Sequence, residues 1–203
     1  ANNVLTDFIN TGVYDKNRDF YTTTSPSMDI LISSNLERML YHLYGNDAKA
    51  TLELQKKLAD KGRFEVSGDV LADLKDLYFG GCCDDKGTLD TIKDVYSKYG
   101  YLLDTHTAVA VSVQREYEEK TGDKRPYVIA STASPYKFSA SVLKAVAPEK
   151  CSDDEFGMVD ALHEVTGVPV PAPISGLKGA EVRFKNVCES GEMESFVLRS
   201  LGL

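Results

Sequence analysis

The sequence lacks long apolar runs and basic runs, and each absence excludes a class of protein. No stretch approaches the roughly 18 uninterrupted apolar residues of a membrane span, and no basic region leads into an apolar one near the start, as it would in a secretion signal. We therefore expect a cytoplasmic protein without membrane contact. The chain carries 31 acidic against 23 basic residues, a formal charge of -8. This excess repels nucleic acids and anionic lipids, so neither is an expected partner.

Cysteines are few, and their spacing fits neither a disulfide framework nor a metal site. Cys82 and Cys83 are adjacent, whereas Cys151 and Cys188 stand alone. Structural zinc takes its ligands from spaced pairs, so we expect reduced thiols and no metal. The 203 residues are 42% hydrophobic and 27% charged, which fits one globular domain or one domain with a small appendage.

Periodicity predicts that most of the chain is helical. Apolar residues recur at helical spacing in segments that begin near residues 2, 34, 46, 69, 88, 105, 136 and 152. A glycine ends four of these segments, at Gly12, Gly62, Gly122 and Gly167. Ser34 and Glu37 have the spacing of a capping box at the start of the second segment.

The clearest predicted strand is the apolar run at residues 127–130, which leads through a polar turn into a helix. Such junctions bind ligands in α/β proteins, because strand ends and helix starts both present unpaired backbone groups. The proline-rich run 168–174 predicts an extended connector. The expected fold class is therefore α/β, a helix-rich partial domain with a few parallel strands.

Three segments taken together resemble threonine synthase, in particular its fungal-like and Firmicutes-like branch. They read SPSMDILISSNLER at residues 25–38, LDTHTAV at 103–109 and ASTASPYKF at 130–138. The resemblance covers essentially the whole chain and implies the tryptophan-synthase-like fold of pyridoxal-phosphate enzymes. It further implies conversion of O-phospho-L-homoserine and water to L-threonine and phosphate.

In members of that family, the Schiff-base lysine and the loop that binds the cofactor phosphate lie upstream of all these segments. The resemblance therefore implies that residues 1–203 are the carboxyl-terminal part of the large domain, with a helical insert at about residues 46–100 and no catalytic lysine. The start at Ala1, without methionine, gives the same expectation. The implied partners are the missing amino-terminal part of the enzyme and a small phosphorylated amino-acid substrate, and the chain alone should be inactive.

The resemblance places the hydroxyl of Thr132 against the pyridine nitrogen of pyridoxal 5'-phosphate. A neutral hydroxyl leaves the ring a milder electron sink than a carboxylate partner would, which steers the chemistry toward elimination. The alternative for Thr132 is a helix cap. Lys137, one turn further, either helps to hold an anionic substrate or is a solvated surface residue, and nothing in the sequence marks it as the reactive lysine.

Two further pairs of residues are candidates for the cleft. His106 and Thr107 follow Asp104, a predicted cap, and face the active site if the resemblance holds; a structural histidine is the alternative. Asn35 and Arg38 lie at a helix start suited to anions, with simple solvation as the alternative.

Three positions depart from the pattern of the family. Thr105 replaces a proline, Ala110 a glycine and Ser134 a histidine. These departures keep a pyridoxal-phosphate lyase with an altered substrate open as an alternative function. A non-catalytic binding module is the other alternative.

Overall fold

Helices dominate the computed structural model, which describes residues 2–203. Within that range the α-helices are α1 (Val4–Thr11), α2 (Leu36–Leu43), α3 (Ala48–Lys61), α4 (Gly68–Leu77), α5 (Asp85–Tyr99), α6 (Thr105–Thr121), α7 (Ser139–Val146), α8 (Glu155–Thr166), α9 (Ala172–Ser175) and α10 (Met193–Leu201). Short 3-10 turns lie at Pro26–Met28, Pro135–Phe138, Pro148–Lys150 and Ser190–Glu192. The expectation of a helix-rich chain is confirmed. No helix of the described range is both long and apolar enough to cross a membrane.

The described residues form one sheet, made of the antiparallel strands β1 (Val13–Asp15) and β2 (Arg63–Glu65). Tyr14 lies opposite Phe64, and their rings stack with centroids 5.2 Å apart. Phe8 of α1 meets the Phe64 ring edge-on at 5.7 Å. The expected parallel strands are therefore wrong for residues 2–203. Strands of three residues are too short to show an alternating pattern in the sequence.

The first compact unit ends at Val170 and contains two groups of packed helices. In the first group, α1 to α4 surround the sheet and bury Val4, Phe8, Leu40, Leu54 and Leu74. In the second, α5 packs on α6 and α7, and α7 packs on α8, with Ile92, Val142, Leu143 and Leu162 fully buried. Burial of each such side chain contributes about 1.5–3 kcal/mol to the stability of the folded state.

The second compact unit, Pro171–Leu203, contains α9 and α10 and has no buried residue in the part of the chain described. Pro171 immediately precedes α9, where its missing N–H costs no helical hydrogen bond. The predicted extended connector at 168–174 is therefore wrong at its carboxyl end, where α9 begins.

The glycine stops are confirmed, because Gly12, Gly62, Gly122 and Gly167 all adopt left-handed backbone angles after their helices. The predicted capping box of Ser34 and Glu37 is wrong. The residue before α2 is Asn35, which already has helical backbone angles and makes no side-chain cap. The neighbouring Ser33 N–H is held elsewhere, because it donates to the Tyr14 hydroxyl at 2.9 Å.

Residues 127–130 are not hydrogen-bonded as a strand within the described chain. Val128 is 99% exposed, although it lies in an apolar run. The prediction of a strand is wrong for this chain, since no other described strand lies beside the segment to pair with it.

Candidate functional site

Three segments that are far apart in the sequence meet at the first turn of α6. His106 Nε2 accepts a hydrogen bond from the Ser27 N–H at 3.1 Å. The His106 ring packs on Phe138 with centroids 4.7 Å apart. Thr107 Oγ1 lies 3.2 Å from Ser131 Oγ. The folded chain thus brings the segments at 25–38, 103–109 and 130–138 into contact.

Asp104 organises this turn as the cap of α6. Its side chain is fully buried. One carboxylate oxygen accepts the N–H groups of His106 at 2.9 Å and Thr107 at 3.2 Å. The other accepts the Thr107 hydroxyl. These bonds satisfy donors that a helix leaves unpaired at its start and fix the direction of the Thr107 side chain.

The hydrogen bonds of His106 assign its tautomer. Because Nε2 accepts from Ser27, a neutral ring carries its proton on Nδ1. Nδ1 faces Asp104 Oδ1 and Thr105 Oγ1, each at 3.4 Å. The side chain is 12% exposed. His106 therefore ties the turn at 25–28 to α6, as a structural histidine does, while one edge of it remains open to a cleft.

That cleft has a volume of about 170 Å³, and its walls include His106, Met28, Asp29, Cys82 and Thr88. The hydroxyl of Ser25, also in the wall, is buried and has no partner within the described residues. The Asp29 carboxylate accepts the backbone N–H and the hydroxyl of Thr23, each at 2.7 Å. Cys82 is exposed, and partial desolvation together with the nearby Glu116 raises the pKa of its thiol.

Thr132 lies on an exposed turn just after residues 127–130, and its hydroxyl has no hydrogen-bond partner among the described residues. The cap of the following helical turn is Ser134, whose Oγ accepts the Tyr136 N–H at 3.3 Å. The alternative of Thr132 as a helix cap is therefore wrong. Its hydroxyl is available to a ligand.

Neighbouring side chains anchor the helical turn that follows Thr132. Tyr136 is buried and donates its hydroxyl to the Val168 carbonyl, and burial raises the pKa of this phenol. Lys137 is exposed, with Nζ 5.5 Å from the Phe138 ring centroid. Lys137 thus lies beside the turn without being held by an acid.

Asn35 and Arg38 are exposed and bind each other, with Arg38 Nη2 donating to Asn35 Oδ1 at 2.8 Å. Within residues 2–203 no hydrogen bond, ion pair or ring contact joins them to His106 or to the Thr132 turn. The candidate residues thus separate into one cluster around α6 and one pair that is not bonded to it.

No sequence pattern selects Ser131, Ser27 or Phe138, although all three contact the first turn of α6. All lie inside the segments that carry the resemblance. Because the partners are 24 to 79 residues apart for the two hydrogen bonds, no local signal indicates them.

Comparison with known proteins supports the resemblance. The helix-rich fold with its small sheet is that of a partial domain of a larger enzyme. Residues 107–197 match a family model described as "Threonine synthase, C-terminal". The threonine synthase of Pseudomonas aeruginosa is 37% identical over 144 residues, covering 71% of this chain and 30% of that protein. Human "Threonine synthase-like 1" is 34% identical over 169 residues, covering 83% of this chain and 22% of that protein.

Solved structures give the same result. The crystal structure of threonine synthase from yeast superposes with a TM-score of 0.79 at 26% identity, over 99% of this chain and 40% of that one. The pyridoxal-phosphate-bound threonine synthase from Brucella melitensis superposes with a TM-score of 0.67 at 37% identity, over 78% of this chain and 34% of that one. This chain is therefore homologous to the carboxyl-terminal part of threonine synthases, and it spans well under half the length of each of these relatives.

Proposed function

We propose that this chain forms the carboxyl-terminal part of a pyridoxal-phosphate-dependent threonine synthase, which converts O-phospho-L-homoserine and water to L-threonine and phosphate. The observation that carries the proposal is the unpartnered Thr132 hydroxyl. The turn that bears it contacts α6 on both sides, through Ser131 before it and Phe138 after it. The threonine synthases among the relatives favour this enzyme over a free-standing binding module.

The turn fits a cofactor with a pyridine ring. No carboxylate forms a hydrogen bond with Thr132 in the described residues, so its neutral hydroxyl is the group that the ring nitrogen would meet. Pyridoxal phosphate, when bound, supplies an electron sink, and a neutral partner for the nitrogen keeps that sink moderate. The Thr132 hydroxyl would thus orient the ring through a hydrogen bond to its nitrogen. It would donate to the nitrogen lone pair or accept from a proton on the nitrogen.

The other candidate residues of this chain would shape the cleft. The His106 ring walls one side of it and holds the turn at 25–28 in place. The exposed Lys137 ammonium offers a mobile positive charge near the turn for a phosphorylated substrate. For Asn35 and Arg38 we retain only an anion-attracting role at the start of α2, because their contacts keep them with each other.

The proposed partner is the amino-terminal part of the same enzyme, which would supply the cofactor lysine and the loop for the cofactor phosphate. Residues 127–130 favour this partner, since their backbone lacks a sheet neighbour and Val128 is fully exposed. Adding this segment to a sheet of the amino-terminal part would give its backbone N–H and C=O groups hydrogen-bond partners. We place the enzyme in the cytoplasm. The formal charge of -8 on this chain disfavours nucleic acid as its partner.

A chimera tests this proposal. This chain would replace the matching part of the yeast threonine synthase, and two signals would be followed: the absorbance of bound pyridoxal phosphate and the release of phosphate from O-phospho-L-homoserine. We expect both signals, and we expect Thr132→Val to weaken cofactor binding and phosphate release. Thr121→Val is the matched control, because Thr121 is also exposed and bonds only within α6 and its end.

A folded chimera that binds the cofactor but releases no phosphate from this substrate would reject threonine synthase activity and favour a lyase with another substrate. Equal behaviour of Thr132→Val and Thr121→Val would reject the role of Thr132 while leaving the activity in place.

A further inference from the structure

Three oxygen-bearing side chains connect the cap of α6 to the turn that carries Thr132. Asp104 and Thr107 are buried, with 1% and 4% of their surface exposed, and Ser131 lies at the exposed end of the series. The Thr107 hydroxyl contacts an Asp104 carboxylate oxygen and lies 3.2 Å from the Ser131 hydroxyl. The series therefore ends one residue before Thr132.

The directions of these bonds follow from the number of protons. A carboxylate only accepts hydrogen bonds, and a threonine hydroxyl has a single proton to donate. Because Thr107 gives that proton to Asp104, its oxygen is left as an acceptor for Ser131. The Ser131 hydroxyl then donates to Thr107, which fixes the Ser131 side chain relative to α6.

Helix capping alone does not require this arrangement. Asp104 already caps α6 by accepting two backbone N–H groups, and that function is independent of any hydroxyl at residue 107. The Thr107 hydroxyl is what extends the contact to another segment, 24 residues along the chain. The Thr107 hydroxyl thus links α6 to the segment at 130–138. The same two parts of the chain are also joined by the packing of His106 on Phe138.

Thr132 lies between these two anchor points and has no side-chain hydrogen bond of its own within the described residues. We propose that Asp104 and Thr107 are positioning residues, which set the orientation of Thr132 toward its ligand through the Ser131 hydroxyl. This inference rests on the proposed function for the identity of the ligand. The hydrogen-bonded series itself can be tested without any ligand.

The first experiment records backbone amide NMR spectra of this 203-residue chain. We expect Thr107→Val, which keeps the shape but removes the hydroxyl, to shift the signals of Ser131 and Thr132. Thr107→Ser restores the hydroxyl and should return them. Thr105→Val is the matched control, because Thr105 is a fully buried threonine of the same turn. Its hydroxyl lies near His106 and forms no hydrogen bond with Ser131 in the described residues.

Ser131→Ala gives a second route if Thr107→Val fails to fold. Ser131 is exposed, so its loss should leave the folded chain intact while breaking the same link. Unchanged Thr132 signals in Thr107→Val, unchanged Thr107 signals in Ser131→Ala, or an equal Thr132 shift in Thr105→Val, would overturn the proposal.

The second experiment measures the dissociation constant of pyridoxal phosphate in the yeast chimera described above. The loss of one hydrogen bond should weaken cofactor binding by about fivefold to tenfold in Thr107→Val, with recovery in Thr107→Ser. If the unsubstituted chimera binds no cofactor, the proposed function fails while the NMR result still decides whether the series positions Thr132. If the NMR shifts occur but binding is unchanged, the positioning role toward the ligand is rejected.

Discussion

At the scale of single residues, Asp104 has the largest predicted effect on stability. It is buried, and it accepts two backbone N–H groups and one buried hydroxyl. Losing a helix cap costs about 0.5–2 kcal/mol, and leaving a buried hydroxyl unpaired costs about 1–3 kcal/mol. We expect Asp104→Ala to lower the free energy of unfolding by about 2–4 kcal/mol, as measured by urea denaturation followed by circular dichroism.

Asp47→Ala is the control for this prediction. Asp47 caps α3 in the same way, accepting the N–H groups of Lys49 and Ala50 at 2.8 and 3.0 Å, but its side chain is exposed. Its loss should cost about 1 kcal/mol. Equal losses for the two variants would show that burial and the Thr107 hydroxyl add nothing to the cap of α6.

At the scale of elements, the end of α3 depends on a glycine for two separate reasons. Gly62 has a φ of +70°, which side chains rarely adopt, and a Cβ there would lie 2.2 Å from Asn17 Oδ1. Asn17 in turn donates to the Lys61 carbonyl at 3.0 Å. We expect Gly62→Ala to lower the free energy of unfolding by about 1.5–2.5 kcal/mol, since about 1 kcal/mol of strain is joined by about 0.5–1.5 kcal/mol from a displaced Asn17 that loses its hydrogen bond.

Gly100→Ala separates the two causes. Gly100 ends α5 with a φ of +65°, and a Cβ at this position would have no neighbouring atom within 4 Å. It should show only the backbone strain of about 1 kcal/mol. Thermal melts of both variants measure the difference, and equal shifts would mean that the Asn17 contact contributes no stability.

The elements that the sequence predicts well are those with a local cause. The bounds of α6, Thr105–Thr121, follow from the sequence because Asp104 stands before the helix and Gly122 after it, and the structure gives the same bounds. The sheet of β1 and β2 escapes prediction because its strands are three residues long and some 50 residues apart. In the candidate site, the cap at Asp104 is predictable, whereas the contact between Thr107 and Ser131 depends on how α6 packs.

At the scale of the whole molecule, residues 127–130 indicate how the chain would join its proposed partner. Val128 is 99% exposed, so Val128→Asp should change the free energy of unfolding of this chain by no more than about 0.5 kcal/mol. In the yeast chimera the same aspartate would be buried in a sheet without a partner, which costs several kcal/mol. We therefore expect Val128→Asp to melt normally in this chain but to lower the melting temperature and soluble yield of the chimera.

Val128→Ile is the control for the effect of any substitution at residue 128, because isoleucine keeps both the apolar character and the preference for strands. It should leave the chain and the chimera unchanged. An aspartate tolerated equally in both proteins would show that residue 128 stays in water after assembly, and residues 127–130 would then be a surface loop of the enzyme instead of a strand of its sheet. A loss of stability in this chain alone would instead show that Val128 is already packed here, contrary to its full exposure.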